Sequence, residues 1–94
     1  MNPQKVLQMY LMCSYLYYIR NIAVIPDDEY DGMAKALLTN WDSFEHQHKH
    51  LVTTDDLQAG TLYNLTEDQY PKMVIGAAHL LLDQYESNQR LKGQ

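Results

Sequence analysis

The first stretch of the chain alternates apolar and polar residues with the spacing of a helix. From Lys5 to Ile22, apolar side chains recur three and four positions apart, which is the repeat of one helical face. One stripe contains Val6, Met9, Tyr10, Cys13 and Tyr17. A second, adjacent stripe contains Leu7, Leu11 and Tyr18. Because the apolar surface is broad, we predict a helix over residues 4–21 that is covered on two sides.

A second helix is predicted over residues 27–42. Pro26 disfavours a helical conformation at Ile25, and the acidic run Asp27-Asp28-Glu29 places negative charge at the positive end of the following helix. The pattern leaves the cap open between Pro26 and Asp27. The apolar face of this helix contains Tyr30, Met33, Ala34, Leu37, Leu38 and Trp41.

The middle of the chain is less regular. Residues 43–66 show no sustained repeat and include turn-forming residues, Gly60 among them. Together with a last helix, this pattern predicts an all-α fold, a single small domain over residues 1–94 built on three main helices.

The last helix is predicted over residues 67–90. Thr66 and Gln69 resemble a capping box, whereas Pro71 favours a later start, so both beginnings stay open. The face expected to be buried contains Met73, Val74, Ala77, Ala78, Leu80, Leu81 and Tyr85. Gly76 in mid-helix costs about 1 kcal/mol relative to alanine, which indicates close packing there.

The composition restricts the function classes. The formal net charge is −5 and the seven lysines and arginines are scattered, so no basic face for DNA or RNA is expected. Polar residues interrupt the apolar N-terminal stretch, which argues against a signal peptide or membrane span and predicts a cytoplasmic protein. Cys13 is the single cysteine and is expected to be a small buried filler.

The segment from Tyr15 to Asp31 carries the most specific motif. Tyr15-Leu16-Tyr17-Tyr18 is followed by a short turn and then by Pro26-Asp27-Asp28-Glu29-Tyr30-Asp31. This pattern resembles, without a gap, the first segment of bacterial NAD-dependent DNA ligases, a small helical subdomain called Ia. In that family the subdomain closes over the nicotinamide mononucleotide half of NAD. The resemblance implies nucleotide-binding roles for Tyr17, Tyr18, Asp27, Tyr30 and Asp31.

Elementary chemistry is consistent with those roles. Asp27, Tyr30 and Asp31 are spaced three and four apart, so they share one face of a helix. An aromatic ring can stack on the positively charged nicotinamide ring, and carboxylates can accept hydrogen bonds from ribose hydroxyls. The alternative interpretation is structural: the aspartates favour a helix N-terminus and the tyrosines form core.

The resemblance covers about residues 10–58 and weakens after Asp31. The run from His48 to Asp55 is similar to a proline-containing segment of the ligases. Here Lys49 and Thr54 stand where the ligases have prolines. Those prolines lead into the ligase adenylation domain, so their loss implies that the connection to such a domain is missing. Residues 60–94 have no counterpart and are interpreted as an additional C-terminal helix.

No catalytic residues are predicted. The ligases accept AMP on the lysine of a Lys-x-Asp-Gly motif, which none of the lysines matches: Lys5, Lys35, Lys49, Lys72 and Lys92. The chain is therefore expected not to be an enzyme. The glycines stand singly, so neither a Rossmann fingerprint nor a P-loop is present.

A metal site is not expected either. His46, His48 and His50 alternate, and in a strand they would project to one face. No cysteine or aligned carboxylate accompanies them, which makes this a weak zinc pattern.

Three functions follow from these observations. The leading hypothesis is a non-catalytic module that binds NAD, nicotinamide mononucleotide or a related nucleotide, as a phage-encoded, anti-defence protein sequestering an NAD-derived signal would. An alternative is a small acidic protein that binds and inhibits a host protein. A second alternative is a split ligase component that acts in trans with a ligase adenylation domain. A homodimer is left open.

Overall fold

The structure, a computed structural model, describes the backbone of residues 2–92 and the side chains of residues 2–89. Within this part the protein contains four α-helices and no strand: α1, Pro3–Ser14; α2, Asp27–Thr39; α3, Thr54–Ala59; and α4, Lys72–Lys92. A π-helical turn, Tyr15–Ile19, extends α1, and three 3-10 turns lie at Trp41–Ser43, Lys49–Leu51 and Glu67–Gln69. The prediction of a small all-α fold is confirmed. None of the described helices is both long and apolar enough to cross a membrane.

Helix α1 begins and ends through identifiable caps. The Asn2 side chain accepts a hydrogen bond of 2.9 Å from the backbone N–H of Gln4, and Pro3 occupies the first helical position. The predicted helix over residues 4–21 is α-helical only to Ser14, because the following turn is π-helical. Asn21 then adopts a left-handed conformation with φ of 58°, which asparagine tolerates better than most residues.

The structure shows which residue is the N-cap of α2. Pro26 is the N-cap, so Asp27 is the first helical residue. The helix ends at Thr39, before the predicted residue 42, because the Asn40 side chain donates to the Ala36 carbonyl at 2.8 Å and the chain turns.

Helix α3 lies inside the connection that was predicted to be irregular. Thr53 and Asp56 form a capping box, in which each side chain bonds the backbone N–H of the other residue at 3.1 and 3.0 Å. Gly60 ends the helix with φ of 70°. Six residues are too few to show a clear helical repeat, so the sequence pattern did not reveal this helix.

Helix α4 begins at Lys72 rather than residue 67. The capping box of Thr66 and Gln69 exists, but it closes a 3-10 turn, and Pro71 separates that turn from the helix. The predicted buried face is partly wrong, since Met73 and Leu80 are 59% and 67% exposed. The expectation of close packing at Gly76 is also wrong, because a Cβ there would meet no atom within 4 Å.

The core forms around α1, which packs against both α2 and α4. The largest apolar side chains that are fully buried are Leu7, Tyr10, Leu11, Leu16, Leu37, Leu62 and Val74. The packing of α1 against both α2 and α4 agrees with the prediction that this helix is covered on two sides, although Met9 and Tyr17 of the first stripe are exposed. Tyr15, at the start of the π turn, contacts Tyr70 edge to face with ring centroids 5.3 Å apart.

Lys49 holds together the segment that follows α2. Its ammonium group donates to the carbonyl of Phe44 at 2.7 Å and also to the carbonyl of Trp41. The same group lies 4.7 Å from the ring centroid of Phe44 and 4.9 Å from that of Trp41. A single cation therefore satisfies two carbonyls where the backbone leaves the α2 helix.

Candidate functional site

One pocket of about 290 Å³ opens beside the N-terminus of α2. The π turn, the connection over residues 23–25, the first turns of α2 and the end of α3 surround it. Its walls are Cys13, Tyr17, Tyr18, Ala23, Ile25, Asp27, Tyr30, Asp31 and Gly60. All five residues that the ligase resemblance singled out therefore line the same pocket.

Tyr17 and Tyr18 reach the pocket through the π turn. The N–H of Arg20 donates to the Tyr15 carbonyl at 3.3 Å, and the N–H of Ile22 donates to the Leu16 carbonyl at 2.8 Å. The wider turn changes the direction of successive side chains relative to an α-helix, and such turns are frequent at functional sites. The two tyrosine rings meet edge to face with centroids 4.9 Å apart.

The two tyrosines differ in exposure. Tyr17 is 46% exposed, so much of its ring is free to contact a ligand. Tyr18 is half-buried, and burial raises the pKa of its hydroxyl above the ordinary value, an effect partly offset by a hydrogen bond to the Leu62 backbone. Tyr18 therefore remains a neutral hydrogen-bonding group at physiological pH.

Asp27 and Asp31 supply the acidic groups of the pocket from one face of α2. Both are exposed to solvent. One carboxylate oxygen of Asp31 forms an ion pair with Lys35 at 2.9 Å, and the other oxygen lies next to Gly60. Carboxylates in the pocket wall can accept hydrogen bonds from a ligand.

Tyr30 contributes its ring rather than its hydroxyl. Ser14 donates its hydroxyl hydrogen to the Tyr10 carbonyl at 2.7 Å, so in the 2.6 Å contact between Tyr30 and Ser14 the tyrosine is the donor. The Tyr30 ring stacks on Tyr10 with centroids 4.6 Å apart. Burial raises the pKa of Tyr30 well above its ordinary value, so this wall of the pocket stays uncharged.

Four wall residues were not anticipated: Cys13, Ala23, Ile25 and Gly60. Cys13 is buried as expected, and desolvation raises the pKa of its thiol to about 11, which keeps it protonated and unreactive. Cys13 lies four residues before Tyr17, and this spacing could have placed the two side chains on the same helical face. Gly60 comes from a distant part of the chain, and no local pattern connects it to the pocket.

Gly60→Ala is expected to lower the free energy of unfolding by about 1–2 kcal/mol. Its φ of 70° is costly for a residue with a Cβ, and that Cβ would lie only 3.3 Å from a carboxylate oxygen of Asp31. The matched control is Gly76→Ala on the exposed side of α4, which should raise the free energy of unfolding by about 0.5–1 kcal/mol. Urea denaturation measures both, and equal effects of the two substitutions would contradict this account.

The histidines at 46, 48 and 50 lie away from the pocket and outside any strand. This part of the chain forms a turn and a 3-10 turn, in which the backbone N–H of His48 donates to Nδ1 of His46 at 3.0 Å. The described residues contain no group of three or more histidine, cysteine or acidic side chains arranged to hold a metal ion.

Comparisons with models of protein families, with curated proteins and with solved structures found no match to this chain. The pocket itself is therefore the basis for inferring a function. Tyrosine rings offer faces for stacking, and two carboxylates offer hydrogen-bond acceptors and negative charge. This combination suits recognition of a small aromatic ligand that carries hydroxyl groups.

Proposed function

We propose that the protein is a non-catalytic module that binds the nicotinamide nucleotide part of NAD or nicotinamide mononucleotide. A single observation carries the proposal: the five residues of the ligase-like motif, from two helices, line one pocket. A purely structural role for these tyrosines and aspartates does not require them to converge on a cavity. As a cytoplasmic binding protein, the chain would hold or sequester such a nucleotide rather than transform it.

Titration calorimetry and thermal shift with NAD, nicotinamide mononucleotide and nicotinamide riboside test this proposal. Binding at 100 times the dissociation constant should raise the free energy of unfolding by about 2.7 kcal/mol. Tyr17→Ala should abolish most of this increase, whereas Tyr63→Ala should preserve it, since Tyr63 is 67% exposed and does not line the pocket. Absence of heat with all three compounds at millimolar concentration would refute the proposal.

A second candidate function is supported by an apolar groove between α1 and α2. Its walls are Met9, Ile25, Glu29, Gly32, Met33 and Ala36, and its volume is about 540 Å³. Flexible methionines suit the binding of an apolar helix, so a host protein is the alternative ligand. Met33→Glu should then release that protein while Asp31→Asn retains it, and retention of the protein by Met33→Glu would refute binding in the groove.

A further inference from the structure

The walls of the pocket carry an uneven charge. Asp27 and Asp31 contribute two carboxylates, and no lysine or arginine is among the described residues that line the cavity. Lys35 partly offsets Asp31, but its side chain is 76% exposed and points to solvent. The N-terminus of α2 adds about half a positive charge. Asp28 and Glu29 in the same first turn oppose it, so the pocket is negative.

The aromatic residues of the pocket wall also favour a positively charged ligand. Tyr17, Tyr18 and Tyr30 all line one cavity. The face of an aromatic ring attracts a cation, and the attraction increases when water is displaced. The hydroxyl of Tyr30 donates to Ser14, so the ring is the part of this residue that is left to contact a ligand.

The size of the cavity limits how much of a ligand it can enclose. Its volume of about 290 Å³ lies at the lower edge of the range of roughly 300–1,000 Å³ that is typical of small-molecule sites. A ring with one attached sugar is a closer match to this volume than a complete dinucleotide.

We infer that the pocket selects its ligand by charge and takes the oxidised, positively charged nicotinamide riboside unit in preference to forms that carry phosphate. This inference rests on the proposed function and specifies its ligand. A phosphate would lie near two carboxylates without a basic partner in the described walls, and the reduced ring would lose the cation that the aromatic walls attract. The binding energy therefore comes from the ring and the ribose.

Titration calorimetry with four compounds tests the inference: nicotinamide riboside, its reduced form, nicotinamide mononucleotide and NAD. We expect the oxidised riboside to bind about ten-fold more tightly than either the mononucleotide or the reduced riboside. Mononucleotide binding as tight as, or tighter than, riboside binding would overturn the inference while leaving the proposed function intact. Equal binding of the oxidised and reduced ribosides would also overturn it. Failure of all four compounds to bind would overturn both.

Variants of Asp27 and Asp31 distinguish selection of the ligand by charge from selection by shape. The double variant Asp27→Asn and Asp31→Asn keeps the side-chain volumes and should reduce the preference for riboside over mononucleotide to about two-fold or less. Asp42→Asn is the matched control, because Asp42 is exposed, lies in the 3-10 turn after α2 and does not line the pocket. An unchanged preference in the double variant, or an equal change in the control, would overturn the inference.

Discussion

Lys49→Met is expected to lower the free energy of unfolding by about 3 kcal/mol. The ammonium group donates to the carbonyls of Trp41 and Phe44, and each hydrogen bond to a charged group contributes about 1.5–3 kcal/mol. Methionine preserves most of the apolar stem but leaves both carbonyls without their donor. Chemical denaturation followed by tryptophan fluorescence measures this loss directly, since Trp41 is the single tryptophan and lies in the affected segment.

The matched control is Lys35→Met. Lys35 also forms an electrostatic contact, with Asp31 at 2.9 Å, but its side chain is 76% exposed. Exposed ion pairs contribute about 0–1 kcal/mol, so this substitution should change the stability little. If both variants lost the same free energy, the role assigned to Lys49 would be wrong.

The backbone of Lys49 adds a further local contact. Its N–H donates to the His46 carbonyl at 3.1 Å, while its side chain donates to the carbonyls of Phe44 and Trp41. Lys49→Met removes only the side-chain contacts, so the predicted loss of stability comes from the ammonium group.

The fold class and the two long helices in the first half were predictable because their stabilising signals are local. Apolar residues recur with the helical period along α1, and Pro26 with the following acidic run marks the start of α2. The helix α3 was not predicted, because six residues give too short a repeat. Its capping box, Thr53 and Asp56, was the available signal, although serine or threonine followed by an acidic residue is common in loops as well.

The faces of the helices were less predictable than their positions. Of the face predicted to be buried on α4, Val74 and Ala78 are buried, whereas Met73 and Leu80 are exposed. Leu82, which was not assigned to that face, is buried. An apolar stripe that is wider than the contacting surface contains residues for which periodicity alone cannot select the inner position. Burial is decided by the neighbouring element, and the neighbour of α4 is α1, which is more than fifty residues away in sequence.

The candidate site was predictable to the extent that its residues belong to one continuous segment. Tyr17, Tyr18, Asp27, Tyr30 and Asp31 were all named from the ligase-like motif. The π turn that orients the tyrosines has no sequence signal of its own. Gly60 closes the pocket from the end of α3, and such a contact depends on tertiary packing. Nucleotide binding by these residues stays a prediction.

Tyr10 packs against Tyr30, which lines the pocket, and the Tyr10 ring is expected to contribute more to the free energy of unfolding than the Tyr10 hydroxyl. Tyr10→Ala should lower the free energy of unfolding by about 3–5 kcal/mol, because it removes a completely buried ring that stacks on Tyr30. A domain of this kind has a total stability of about 5–15 kcal/mol, so this variant approaches the limit of folding. Loss of the stack between Tyr10 and Tyr30 should also weaken the binding of any ligand that contacts the Tyr30 ring.

Tyr10→Phe separates the ring from the hydroxyl. Among the described residues, the buried Tyr10 hydroxyl has no partner at hydrogen-bond distance, and removing a polar group without a partner costs nothing or stabilises by about 1 kcal/mol. The stack on Tyr30 remains, so ligand affinity should be unchanged. Thermal denaturation and calorimetry of both variants test the two claims. A loss of 2 kcal/mol or more in Tyr10→Phe would show that the hydroxyl is hydrogen-bonded in solution, which means that the Tyr30 wall is held by a polar network rather than by ring stacking.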